Sequence, residues 1–136
     1  MQLTLISNPD ASQAPAYQIA RVIYAQTNAR SLTLVEAFAS MIANISRASG
    51  LDVLKIVSDK TIFDSLDEAS VRHELLSVPA HDHGFQMCLR TVSRMLAGGL
   101  SDCCFGATKF HYSDSIPDWA TCRGYIADID DVLFYL

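Results

Sequence analysis

Apolar residues recur at helical spacing in three stretches of the chain. In residues 15–29, Ile19, Val22 and Ile23 share one face with Gln26, and Pro15 stands near the first turn, where its missing N–H costs nothing. Leu34, Phe38, Met41, Ile42 and Ile45 repeat the pattern, which predicts a central helix over 33–48. Thr33-Leu-Val-Glu36 before it has the form of a capping box, and Gly50 after it supplies a stop. From Asp82 onward, Phe85, Cys88, Leu89, Val92, Met95 and Leu96 form a third stripe that ends at Gly98-Gly99 and predicts a helix over 82–97, with His81, Asp82 and His83 as its polar start. Shorter helices are expected at 51–57 and 69–76. Past Gly99 the period changes: Phe105, Ala107, Phe110 and Tyr112 sit among turn residues, and 132–136 are β-branched or aromatic. The pattern predicts an α+β fold, a mainly helical body with a small antiparallel sheet toward the C-terminus.

With 136 residues and no repeat, linker or low-complexity run, the chain is expected to form one domain over 1–136. Half of its residues are hydrophobic and 18% are charged, which excludes intrinsic disorder. The longest apolar stretch, 37–45, is interrupted by Ser40 and Asn44 and is far short of the ~18 to 20 residues that span a bilayer. The opening MQLTLISNPDAS lacks the basic and apolar regions of a signal peptide, so the expectation is a chain made and kept in the cytoplasm unless another system exports it.

A net charge of −5 without clustered Lys and Arg argues against nucleic acid as a partner. Cys88, Cys103, Cys104 and Cys122 read as reduced thiols, and neither they nor His73, His81, His83 and His111 show a metal-ligand spacing, so no metal or cofactor is expected. A cysteine nucleophile, Cys88 or Cys122 working with His111, is the weakest enzymatic reading, because no local arrangement supports it.

Four ordered segments resemble the SleB-type cell wall hydrolases, the family that includes spore-cortex-lytic enzymes. GATKFHYSDSIPDWA (106–120) is similar to the family's GATHYH stretch and the P-x-W-A that follows it. The end of the chain, Tyr125-Ile126 through Asp131 to Leu133-Phe134-Tyr135, resembles its closing IGxHxFY. FQMCLRTVSRMLAGGL (85–100) is similar to its penultimate helix, and Ala20-Arg-Val-Ile-Tyr24 with 39–44 to its ARVIYGEARGE…AVAxVILNR opening. The resemblance implies a lysozyme-like domain acting on the glycan strands of peptidoglycan, as a glycoside hydrolase or lytic transglycosylase in which one glutamate protonates the scissile oxygen.

This sequence departs from the family at that residue. Tyr-Gly-Glu-Ala-Arg is replaced by Tyr24-Ala25-Gln26-Thr27-Asn28, so Gln26 holds the position of the catalytic glutamate. Asp131 stands near the place of the closing histidine, Thr108-Lys109 replaces a Thr-His pair, and an FSCW-like element reads Phe63-Asp64-Ser65-Leu66 without its tryptophan. An amide cannot deliver the proton that a leaving glycosidic oxygen needs. Asp114 and Asp118, either side of Pro117, are the candidates for a displaced acid, whereas Glu36 is accounted for by the capping box. Tyr24, Thr108, His111, Tyr112 and Trp119 are the expected glycan-binding residues, Trp119 chiefly as an anchor beside the cleft. The alternative is a non-catalytic glycan-binding or structural module that kept the fold after losing its acid. Delivery to a wall and the oligomeric state are not encoded in any recognisable motif.

Overall fold

The computed structural model describes residues 14–136; the reading of the opening as lacking the regions of a signal peptide falls on 1–12, outside the described residues. Four α-helices come first, α1 (Pro15–Thr27), α2 (Leu32–Ser49), α3 (Val53–Ile56) and α4 (His83–Leu96). Three strands follow, β1 (Lys109–Tyr112), β2 (Ala127–Ile129) and β3 (Val132–Tyr135), in an antiparallel sheet of order β1-β3-β2. The fold is therefore α+β, with the sheet at the C-terminal end. No helix among the described residues is long and apolar enough to cross a membrane.

The helix ends show which local signals operate. Pro15 occupies the first position of α1, and Asn28 closes it in a left-handed conformation with its N–H on the Tyr24 carbonyl. The N-cap of α2 is Ser31, not the Thr33 of the expected capping box: the Ser31 hydroxyl accepts from the Leu34 N–H at 3.1 Å. Ser31 prevails because the same hydroxyl also donates to the Asp130 carboxylate, a second partner that Thr33, exposed on the first turn, does not have. Glu36 is thereby released from capping and pairs with Arg94 of α4 at 2.8 Å. Gly50, at φ +75°, ends α2 as predicted from the sequence.

Asp82 caps α4, accepting from the Phe85 N–H at 3.0 Å. Gly84, the residue after His83, lets this end approach the loop between α1 and α2 so closely that a Cβ would lie 2.9 Å from the Ala29 Cβ. The stripe of α4 is buried from Phe85 to Val92, whereas Leu96, expected to share it, is exposed in the last turn.

The segment from 58 to 78 departs most from expectation. Instead of a helix over 69–76, only a 3-10 turn forms at His73–Ser77, with another at Asp64–Leu66. Side chains intercept the backbone here: Asp67 accepts from the Ala69 N–H and the Ser70 hydroxyl from the Arg72 N–H, both bonds that compete with a helical ladder.

α1 and α2 both pack against α4, and the sheet closes the other side of α2. Phe38 of α2 is the meeting point: its ring is met edge-on by Phe110 of β1, with centroids 4.8 Å apart, and by Phe134 of β3 at 5.6 Å. The β2–β3 hairpin turns through Asp130 and Asp131, both at positive φ as a tight primed turn requires. Arg30 donates to the Asp130 carbonyl at 2.7 Å and holds that turn against the start of α2.

Candidate functional site

The last turn of α1 points Gln26 inward at 2% exposure, where two other segments, the Asp64–Leu66 turn and β1, converge on its amide. Its Oε1 accepts from the Ser65 N–H at 3.0 Å, and its Nε2 donates to Asp64 Oδ1 at 2.9 Å and to the Tyr112 hydroxyl at 2.6 Å. The Tyr112 hydroxyl in turn donates to the Gln26 carbonyl at 2.7 Å. Partners fix the amide's orientation, because a reversed amide would set its oxygen against a carboxylate. Asp64 is engaged on its other oxygen too, accepting from Ser70 and Arg72 at 2.8 Å each. The Arg72 guanidinium then lies over the Tyr112 ring, 3.8 Å from its centroid.

These contacts set the proton affinities. Burial works against ionised Asp64, but hydrogen bonds from Gln26, Ser70 and Arg72, with the Arg72 charge, outweigh it and hold the carboxyl below its ordinary value. Burial pushes the Tyr112 hydroxyl up to about 12, against the pull of Arg72, so it stays protonated at neutral pH. Asp64 is thus an ionised acceptor and Tyr112 a fixed donor. Neither is set up to release a proton near neutrality.

Above this cluster opens a cavity of about 420 Å³, lined by Asp64, Arg72, Tyr112, His111, Asp114 and Trp119 among others. A second cavity of about 270 Å³ continues past Trp119 along Thr108 and Lys109 of the β1 edge. Trp119, 37% exposed, stands between them, with its ring edge-on to Tyr135 at 5.0 Å and to His111 at 5.8 Å. Both contacts brace the indole against the sheet, as expected of an anchor beside a cleft, and the Lys109 ammonium lies over its ring.

The residues singled out in the sequence do not all meet here. Tyr112, His111, Asp114 and Trp119 line the wider cavity and Thr108 the narrower one. Gln26 lies beneath the floor and lines neither. Tyr24 sits in a different depression, beside Glu74 and Asp82, and Asp118 is exposed at the start of a 3-10 turn, its carbonyl accepting from Thr121. Asp131 serves the hairpin turn, where its carbonyl accepts from the Ser113 N–H.

His111 offers a ligand less than its residue type suggests. Its Nδ1 donates to the Tyr112 carbonyl at 2.8 Å, and its Nε2 accepts from the Tyr135 hydroxyl at 2.8 Å, so both ring nitrogens are committed within the fold. A cysteine nucleophile finds no base here. Cys88 is buried, and that burial, with the Asp82 charge adding to it, pushes its thiol up to about 12, while Cys122 is exposed and hydrogen-bonds Thr121. Among the described residues no group of three or more His, Cys, Asp or Glu is gathered as a metal site would require.

Sequence reasoning missed Asp64, Arg72 and Lys60 as lining residues. Asp64 did lie in the FSCW-like element, so its segment was visible there although its role was not. Arg72 and Lys60 lie in the aperiodic segment, where no spacing announces a face. The chain matches no protein-family model, no curated protein and no solved structure.

Proposed function

We propose that the domain binds the glycan strands of peptidoglycan in the groove beside β1 and cleaves them poorly, as a degenerate relative of the cell wall hydrolases it resembles. The observation that carries this reading is the contact of Gln26 with Asp64 at 2.9 Å. A glutamate at position 26 would face that carboxylate at a distance where both cannot be charged. The pair would share a proton, one of its apparent pKa values would rise as a general acid needs, and Asp64, which lines the groove above the buried residue 26, would be the member facing a strand. Glutamine preserves the hydrogen bonds and holds no such proton. The groove keeps what binding requires, an indole wall at Trp119 and polar groups from Asp64 and Arg72, without the ~10² to 10⁴-fold contribution of an acid.

The test compares wild type with Gln26→Glu on purified cell walls, scoring bound protein and soluble fragments. Both proteins are expected to bind, and the variant to release more fragments than wild type. Trp119→Ala should lower binding in both backgrounds. Efficient digestion by wild type, abolished by Asp114→Asn or Asp118→Asn, would establish a displaced acid instead. Absence of binding by either protein would leave the second reading, a structural module, which the burial of Gln26 favours because a 2% exposed amide that ties α1 to two other segments also has a purely architectural use.

A further inference from the structure

The two cavities beside β1 form one continuous groove, since Thr61, Ile62, Phe110 and Trp119 line both. The charge of this groove runs against that of the chain. Overall the protein carries −5, yet Lys60 and Arg72 line the wider part and Lys109 the narrower, against two carboxylates, Asp64 and Asp114. Asp64 is satisfied by Arg72 at 2.8 Å. Lys60 and Lys109, both exposed, form no ion pair with any described residue. The Lys109 ammonium lies over the Trp119 ring, 5.7 Å from its centre, so a sugar approaching the indole meets a positive charge.

Resting on the glycan reading, we infer that the groove selects strands bearing carboxylates, with Lys60 and Lys109 as specificity-determining residues on either side of the Trp119 wall. An ammonium is a compact, strongly hydrated point charge that gains more from a carboxylate than from a neutral hydroxyl. Arg72 is committed to Asp64 and Tyr112, and Asp114 repels an anion at its own rim, so the two lysines are the groups left to read the charge.

The experiment uses peptide-free glycan strands of peptidoglycan, whose lactyl groups carry free carboxylates, and the same strands with those carboxylates converted to amides. Titration calorimetry at low salt should show wild type binding the carboxylate form about three- to tenfold more tightly, the scale of two exposed ion pairs. Lys60→Gln/Lys109→Gln should lose that preference and bind the two forms alike, and added salt should erode the preference in wild type. Equal binding of both forms by wild type, or a preference that survives in the double variant, overturns the inference and leaves the glycan reading standing. Failure of wild type to bind either form overturns both.

Discussion

Around Phe38 the molecule is held by shape: three aromatic rings meet edge to face, and Leu34, Met41 and Ile42 fill the space about them without a polar atom to satisfy. Around Gln26, two residues further along the same face of the sheet's first strand, it is held by pairing, since an amide, a carboxylate, a guanidinium and a phenol each need the others in place. The apolar region tolerates any side chain of suitable volume. The polar region tolerates very few, because deleting one member leaves its partners unmatched, the buried Ser65 N–H most of all. That asymmetry separates what builds the fold from what shapes the groove, and it can be broken experimentally.

The largest effect belongs to the apolar side. Phe38→Ala should cost about 3 to 5 kcal/mol in a denaturant titration, as expected for emptying a close-packed aromatic site. Gln26→Leu, nearly the same size, should cost about 2 to 3 kcal/mol, because the Ser65 N–H loses its acceptor and Asp64 and Tyr112 each lose a donor. A cost below about 1 kcal/mol would mean that the polar region relaxes as freely as an apolar one and would erase the contrast.

The smallest effect is a pH dependence. Asp64 is held below its ordinary value, so its contribution to stability is fully present above the unfolded value near 3.8 and fades as pH falls through the lower folded value. Thermal melts of wild type and Asp64→Asn should therefore converge on acidification below that point. With 44% of its side chain exposed, the carboxylate's effect should be modest and reduced by salt. A constant gap between the two proteins at every pH would assign the role of Asp64 to geometry rather than charge.

How much of this was legible in the sequence follows from the same contrast. α2 and α4 could be placed almost to the residue because long apolar stripes at period 3.6 leave one solution, and Gly50 and Asp82 mark ends by their own conformational preference. The strands were legible as a change of texture, though not their order. The α2 cap was misplaced by two residues, since Ser31 and Thr33 both present hydroxyls and only the distant Asp130 decides between them. The groove was half legible. Its β1 wall lies in the quoted 106–120 stretch, whereas Lys60, Asp64 and Arg72 come from a segment whose path is set by side-chain-to-backbone hydrogen bonds at Asp59, Asp67 and Ser70, which carry no periodicity.

The Ser31 hydroxyl carries one more consequence, in the order of events as the chain folds. Its bond from the Leu34 N–H closes over three residues and forms with the helix, whereas its bond to Asp130 closes over 99 and must wait until the β2–β3 hairpin has arrived. The hairpin thus docks onto a helix start that is already shaped to receive it. A single side chain ties the fastest kind of contact in this protein to one of the slowest.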